Sequence, residues 1–207
     1  MNKNLITDLK TEPFPLLTIT NLFSEEERAL IFNEIKFLGK GDKLLPPAKT
    51  GSACNEEGTV YEKNTKGVSV DQVYSDPEYR RFSDILNINR NVFDRGIMQN
   101  LDSWFFKNLE VNFDGTIVSY YGEGSYYKPH KDNASLTALS WFYEEPKYFT
   151  GGDLVFPDYN ITIPTSLNTT IMFPSCIKHE VTETHLDKEH RGMGRGRYVM
   201  AQLAGIH

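Results

Sequence analysis

The sequence predicts a mainly β protein of the α+β class, in which a double-stranded β-helix (jelly-roll) core is backed by N-terminal helices. Two observations carry this prediction. Short segments rich in β-branched and aromatic residues recur at near-regular spacing from residue 116 to the end of the chain, and two helical patterns precede them. Many short strands separated by turn residues are typical of an antiparallel sandwich or jelly roll.

The C-terminal half carries eight strand patterns. They are TIVSYYG (116–122), YYKPHKD (126–132), SLTALSWFY (135–143), GDLVFP (152–157), YNITIP (159–164), TTIMFP (169–174), HEVTET (179–184) and GRYVMAQLAG (196–205). Eight strands suffice for the two packed sheets of a jelly roll.

The first helical pattern begins with a capping-box signature, Ser24-Glu25-Glu26-Glu27. Apolar residues then follow at helical spacing, namely Leu30, Ile31, Ile35 and Leu38. The preceding stretch, FPLLTITNLF, predicts a short strand that leads into this helix.

The second helical region starts at Asp76-Pro77, with the acid as N-cap and the proline in the first turn. It is expected to break near 87–91 and to resume toward Leu109. We expect the helices at 24–39 and 77–109 to pack on the outer face of one sheet.

Residues 40–58 are rich in Gly, Pro and small polar residues, which is loop composition. A loop of this length in a compact domain is either disordered or a functional lid. We therefore expect a single domain over 1–207, with helical support and lid loops in 1–110 and the jelly-roll core with its site in 111–207.

Composition excludes some partners. The chain has 22 basic and 28 acidic side chains, a net charge of -6. Nucleic acids and acidic membrane surfaces favour a positive footprint, so neither is expected as a partner. No apolar run is long enough to span a membrane. The N-terminal residues include acidic side chains where a signal peptide would need an unbroken apolar stretch, so secretion is not expected. Cys54 and Cys176 lack a metal-binding spacing and are expected to be free thiols of a cytoplasmic protein.

His130 and Asp132 fall at the end of one predicted strand. Residues i and i+2 of a strand point to the same face, so both side chains can reach one metal ion. A third ligand should come from a distant strand, and His179 begins one. Two imidazoles and a carboxylate with open positions form the facial triad of non-haem Fe(II) oxygenases.

With these residues in place, the sequence resembles the prolyl 4-hydroxylase-like branch of the 2-oxoglutarate/Fe(II)-dependent dioxygenases. Four motifs carry the resemblance in order between 121 and 198, and a weaker likeness covers most of the chain. They are Tyr121-Gly122-x-Gly124-x-x-Tyr127-x-x-His130-x-Asp132, then Gly151-Gly152-Asp153-Leu154-Val155-Phe156, then Phe173-Pro174-Ser175 with His179-Glu180-Val181, and Gly196-Arg197-Tyr198.

The resemblance implies Fe(II) held by His130, Asp132 and His179, with 2-oxoglutarate and O₂ as cosubstrates and ascorbate as a candidate reductant. It implies that 2-oxoglutarate binds the metal through its 2-oxo group and C1 carboxylate. The far carboxylate then needs a cation, and Arg197 offers a bidentate fork. The Tyr121 hydroxyl is expected to form a further hydrogen bond with 2-oxoglutarate. Tyr120 is the alternative candidate for this bond, although it lies one residue out of register.

The distance from His179 to Arg197 departs from the family pattern, in which the anchoring basic residue follows the distal histidine more closely. We interpret the polar, glycine-rich stretch 185–196 as an enlarged hairpin turn, which keeps Arg197 at the start of its strand. Arg191 and Arg195 compete as anchors, although no strand pattern follows either directly.

Several other motif residues have structural interpretations. Tyr127 is interpreted as an aromatic residue of the sheet without a role in the site, and Gly151-Gly152 as a turn before a strand. Trp141 fits either the core or the pocket wall. His185 and His190 lie in the predicted turn and are expected to be solvated.

The predicted activity is hydroxylation of a C–H bond with release of succinate and CO₂. One substrate is a prolyl residue in a peptide or protein, over which the segments 40–75 and 185–196 could fold. The alternative is a free amino acid or another small metabolite. A third hypothesis is a jelly-roll binding module without catalysis. Substrate choice resides in loops, so the motifs do not separate these, and they leave the oligomeric state open.

Overall fold

The computed structural model describes residues 5–40, 43–50, 62–94 and 96–206. Twelve strands form two antiparallel sheets that enclose a common interior. The strands are β1 (Ile6–Lys10), β2 (Leu16–Thr20), β3 (Lys66–Ser69), β4 (Phe113–Tyr121), β5 (Ser125–His130), β6 (Leu136–Phe142), β7 (Phe149–Gly151), β8 (Leu154–Phe156), β9 (Ile161–Ile163), β10 (Thr169–Pro174), β11 (His179–Leu186) and β12 (Arg197–Gly205).

The order of the strands confirms the jelly roll. The large sheet runs β1-β2-β10-β6-β12-β4-β3, and the small sheet runs β5-β11-β8-β9 with β7 paired to β11. From β4 onward the chain passes repeatedly from one sheet to the other, except that β7, β8 and β9 follow one another in the small sheet. These crossings bring the ends of distant strands together.

All eight predicted C-terminal strands are present, as is the strand before the first helix. Three further strands, β1, β3 and β7, have no clear signal in the sequence. β1 and β3 lie at the two edges of the large sheet, and β7 pairs only with β11 among the described strands. Strands at an edge bury little surface, so they lack the alternation that marks the others.

The first helix, α1 (Glu25–Leu38), has the predicted capping box. The Ser24 Oγ accepts a hydrogen bond from the Glu27 N–H at 3.2 Å, and the Glu27 carboxylate accepts one from the Ser24 N–H at 2.8 Å. Ile31, Ile35 and Leu38 are fully buried against the outer face of the large sheet. The expected packing of helix on sheet is therefore confirmed.

The second helical region differs from the prediction of two longer helices over 77–109. It consists of single turns: α2 (Val70–Val73), α3 (Pro77–Arg80), α4 (Asp84–Ile88), α5 (Asn91–Asp94), a 3-10 turn at Met98–Asn100 and α6 (Trp104–Lys107). Ser69, Asp76 and Ser83 each cap a new turn by accepting a backbone N–H. Side chains that cap so readily interrupt a helix as easily as they start one.

The interpretation of 185–196 as a hairpin turn is wrong. β11 lies in the small sheet and continues to Leu186, whereas β12 lies in the large sheet between β4 and β6. Both edges of β12 are already paired, so β11 has no edge to join. The stretch instead carries the chain from one sheet to the other, and Arg197 still begins the strand that follows.

In the described part of the chain, no helix is long and apolar enough to cross a membrane. Cys176 is a free, exposed thiol. Cys54 and most of the predicted 40–58 loop lie outside the described residues.

Candidate active site

A cavity of about 110 Å³ lies between the two sheets. Strand alternation decides which side chains reach it. On β12, Arg197, Val199 and Ala201 face the cavity, while Tyr198 and Met200 face the helices. The inward residues of β4, β5 and β11 complete its wall, among them Tyr121, His130 and His179.

His130, Asp132 and His179 come together at one end of this cavity. His130 and His179 are register partners across β5 and β11, with ring centroids 4.3 Å apart. The Nε2 of His130 lies 3.8 Å from Asp132 Oδ1, and the Nε2 of His179 lies 3.5 Å from Asp132 Oδ2. One ligand atom from each residue lies within 4.8 Å of the others, a spacing that suits one metal ion.

The tautomer of both imidazoles suits metal binding. The Nδ1 of His130 is 2.7 Å from the Lys128 carbonyl oxygen, and the Nδ1 of His179 is 3.0 Å from the Ile177 carbonyl oxygen. A carbonyl only accepts, so each Nδ1 carries a proton, and each Nε2 is the ring nitrogen that faces the cluster. Burial and the neighbouring His179 lower the pKa of His130 to about 4 against the opposing effect of Asp132, so the ring is neutral at pH 7.

The Asp132 carboxylate is oriented by its own partners. The Asp132 N–H donates to the Ser175 carbonyl at 3.1 Å, and the Thr137 hydroxyl donates to Asp132 Oδ2 at 2.7 Å. The Ser175 hydroxyl is 2.8 Å from Thr137 Oγ1 and donates to it in turn. Two imidazoles and one oriented carboxylate form a donor set that fits Fe(II).

Arg197 is 1% exposed and lies at the buried end of the cavity. It is the register partner of Tyr121, and its guanidinium lies 4.4 Å from the centroid of that ring. Its Nη1 also donates to the Gly152 carbonyl. Burial lowers the pKa of Arg197 to about 10 and raises the pKa of Tyr121 to about 12. At neutral pH the pair is therefore a cation beside a neutral hydroxyl.

Gly151-Gly152 is more than the turn that the sequence suggested. Gly152 has φ +70°, and a Cβ there would lie 3.1 Å from Arg197 Cδ and 2.9 Å from Thr184 Oγ1. A Cβ at Gly151, also left-handed at φ +67°, would lie 2.0 Å from the Glu183 carbonyl oxygen. Gly152 thus leaves room for the Arg197 side chain, and Gly151 permits the close approach of the β11 backbone.

Three buried polar atoms around Arg197 have no hydrogen-bond partner among the described residues. They are Arg197 Nε, Thr184 Oγ1 and Trp141 Nε1. Buried donors are normally satisfied, and a carboxylate offers the acceptors that these groups need. Of these residues Arg197 lines the cavity, and its guanidinium fits the far carboxylate of 2-oxoglutarate.

The competing arginines lie outside the cavity wall. Arg191 donates to the Glu123 carboxylate at 2.6 Å and to the Leu186 carbonyl at 3.1 Å. Arg195 contacts His190 Nδ1 at 2.8 Å and lies over the Tyr148 ring at 4.5 Å. Both contact residues of the crossing between the sheets, so of the three candidate arginines Arg197 is the one that lines the cavity.

Lys63 is a cavity residue that sequence reasoning missed. It is 7% exposed, and its Nζ lies 5.3 Å above the Tyr127 ring. Tyr127 in turn stacks on His130 with ring centroids 3.5 Å apart, so it is not merely a sheet aromatic. No motif surrounds Lys63 in the sequence, because only the pairing of its segment with β5 brings it to the site.

Comparison with known proteins gives a family match and several structures of similar fold. Residues 116–202 match the model of the 2OG-Fe(II) oxygenase superfamily. A Pseudomonas putida prolyl-4-hydroxylase has a similar fold, with 18% identity, TM-score 0.57, and coverage of 93% of this chain and 92% of that one. None of the curated protein sequences compared with this chain matches it.

Two further solved structures share the fold. The viral collagen prolyl hydroxylase of Paramecium Bursaria Chlorella virus-1, in its 2OG complex, is 16% identical with TM-score 0.53 and covers 92% of this chain and 96% of that one. An oxidoreductase of the 2OG-Fe(II) oxygenase family from Burkholderia pseudomallei is 14% identical with TM-score 0.52 and covers 85% and 79%.

Proposed function

We propose that the chain is a 2OG-Fe(II) oxygenase, because residues 116–202 match the model of that superfamily, and that it hydroxylates a prolyl residue in a peptide or protein. The observation that carries the proposal is a single cavity that holds both a cluster of two imidazoles and a carboxylate and a separate buried guanidinium. A metal and a dicarboxylate can bind side by side only if both features share one space.

The superfamily uses Fe(II), 2-oxoglutarate and O₂. When bound, these supply the oxidising chemistry: one oxygen atom converts 2-oxoglutarate to succinate and CO₂, and the other enters a substrate C–H bond. In this chain, His130 and His179 would hold the metal through Nε2 and Asp132 through its carboxylate. The protein's contribution is to orient the reactants and to exclude water.

Arg197 and Tyr121 would bind the cosubstrate. The guanidinium offers a charge-assisted fork to the far carboxylate, and the neutral Tyr121 hydroxyl offers a further hydrogen bond. Thr184 Oγ1 and Trp141 Nε1 are also buried and unpartnered among the described residues, and the Trp141 ring lies 5.8 Å from the Arg197 guanidinium.

The prolyl assignment rests on two kinds of support. Two of the solved structures with this fold are named as prolyl hydroxylases. A groove of about 580 Å³ also adjoins the cavity and shares Thr50 and Ile117 with its wall. An extended peptide needs such a groove, whereas a free amino acid or another small metabolite, the alternative substrate, needs only the cavity.

Conversion of 2-oxoglutarate to succinate tests the enzyme assignment. We expect Fe(II)- and O₂-dependent succinate formation that increases when a proline-containing peptide is present. Mass spectrometry should show a gain of one oxygen atom on the peptide. Turnover with free proline but with no peptide would favour the small-metabolite alternative, and a protein that binds no metal would favour the non-catalytic module.

Thr137→Val tests whether Asp132 is a ligand that depends on its orientation. The variant keeps the side-chain shape but removes the 2.7 Å hydrogen bond to Asp132 Oδ2. Loss of a bond that orients a metal ligand typically lowers metal affinity about 10- to 100-fold, and we expect a decrease in that range. Titration with Fe(II) under anaerobic conditions measures it.

Ser140→Ala is the matched control, since Ser140 lies on the same strand and bonds Thr170 at 2.8 Å on the opposite face. We expect it to leave metal affinity unchanged. Equal affinities in the Thr137→Val variant and the wild type would contradict the role of Thr137.

A further inference from the structure

A lysine inside the cavity has no role in the proposed chemistry. Lys63 lines the same wall as His130, Asp132 and Arg197 and is 7% exposed. Among the described residues it has no ion pair within 4.0 Å; its recorded contact is with the face of the Tyr127 ring. Burial lowers the pKa of Lys63, and the charge of Asp132 opposes this shift.

The position of Lys63 is determined by its neighbours in the chain. Its backbone pairs with Tyr127 at the free edge of β5. The Lys128 N–H donates to the Glu62 carbonyl at 2.7 Å. On the other side, the Asn64 amide donates to the Gly124 carbonyl at 2.7 Å and accepts from the Tyr126 N–H at 2.8 Å. A lysine held on both sides and directed into a cavity is preorganised for a ligand.

A count of charges indicates what this ligand is. With Fe(II) and the dianion 2-oxoglutarate bound, their charges and those of Asp132 and Arg197 cancel. Lys63 then remains as an uncompensated cation in a buried site. Burying an ammonium without a counter-charge is costly, so a site that keeps one is complementary to an anion. O₂ is uncharged, so the remaining reactant that can carry the negative charge is the substrate.

The groove that adjoins the cavity also carries positively charged side chains. Lys43 and Lys49 line it and are both exposed, although the chain as a whole has a net charge of -6. Thr50 and Ile117 belong to both the groove and the cavity. Lysines in the groove can attract an acidic peptide that runs along it, whereas a free amino acid bound in the cavity would not reach them.

We propose that Lys63 determines substrate specificity by binding a substrate carboxylate, and that the preferred substrate is a peptide with an acidic residue next to the hydroxylated one. The inference rests on the proposed dioxygenase function and narrows its substrate class. A carboxylate could also come from the α-carboxyl group of a free amino acid. The groove lysines favour the peptide as its source.

The test compares short, end-blocked proline peptides that differ only in one Glu or Gln beside the proline. Binding is measured by fluorescence anisotropy with Mn(II) in place of Fe(II), and hydroxylation by mass spectrometry with Fe(II). A hydrogen bond to a charged group predicts that wild-type protein prefers the Glu peptide by about tenfold or more. Lys63→Met should abolish this preference, and Lys63→Arg should retain it.

Lys66→Met is the matched control, because Lys66 is exposed on the neighbouring strand and outside the cavity wall. It should keep the full preference for Glu. The affinity for 2-oxoglutarate should be equal in wild-type and Lys63→Met protein. A loss of that affinity would make Lys63 a cosubstrate residue and overturn the proposal.

Equal binding of the Glu and Gln peptides by wild-type protein would also overturn it, whether or not the Lys63→Met variant folds. If free L-proline binds in a Lys63-dependent manner and no peptide does, the carboxylate-binding role stands and the acidic-peptide assignment is wrong. Retained Lys63-dependent binding of the Glu peptide without any hydroxylation would reject the prolyl function alone. Equal hydroxylation of both peptides would reject this inference alone.

Discussion

Asp132→Ala protein is expected to lose Fe(II) binding and 2-oxoglutarate turnover. Asp132 is the anionic member of the cluster, and its two oxygens lie 3.8 Å and 3.5 Å from the Nε2 atoms of His130 and His179. Without it, the two imidazoles would have to hold a divalent cation alone. Changes to groups that merely orient a ligand cost about 10- to 100-fold in metal affinity, so removal of a ligand should exceed about 100-fold.

Metal titration under anaerobic conditions and succinate formation measure the two losses. The fold should persist, because the Asp132 side chain lies at the cavity wall and its hydrogen bond goes to Thr137 rather than to the main core. Asp158→Ala is the control, as Asp158 is an exposed acid that pairs with Lys178 at 2.7 Å. Normal metal binding by the Asp132→Ala protein would exclude Asp132 as a ligand.

Arg197→Ala should raise the 2-oxoglutarate requirement while leaving metal binding intact. The guanidinium is 1% exposed and lines the cavity, and the neutral side chains of Thr184 and Trp141 cannot replace its charge. Removing one partner of a buried charge pair costs about 2–5 kcal/mol, which corresponds to at least about 30-fold in the KM for 2-oxoglutarate. Arg197→Lys should be milder, since it keeps the charge and loses the fork.

Arg191→Ala and Arg195→Ala serve as controls for this result and test the two competing anchors. Both side chains are engaged on the crossing between the sheets, with Glu123 and with His190 respectively. We expect unchanged KM values for 2-oxoglutarate in both. An increase with either variant, and none with Arg197→Ala, would move the anchor away from Arg197. A thermal melt of each variant separates binding effects from unfolding.

The strand patterns were readable from the sequence because a strand with one buried face alternates at period two, whatever it pairs with. The helix cap at Ser24 was readable for a similar reason, since its hydrogen bonds join residues three apart. The run of single turns between Val70 and Lys107 could not be predicted from the sequence. A Ser or Asp side chain there can either cap a new turn or stay within a continuing helix, and tertiary packing selects between the two. The division of the chain at residue 110 stays a prediction, although β1 to β3 from the first part join the large sheet.

Local motifs in the sequence were enough to identify the candidate metal ligands and the candidate cosubstrate anchor. The His130/Asp132 pair, His179 and Arg197 each lie in such a motif. Their roles stay predictions that the variants above test. Three facts required the folded structure. They are which of the candidate arginines lines the cavity, the crossing of 185–196 between the sheets, and the position of Lys63 on the same cavity wall as His130, Asp132 and His179. A motif records spacing along the chain, whereas these facts depend on which distant backbone edges pair, and pairing is a property of the folded molecule.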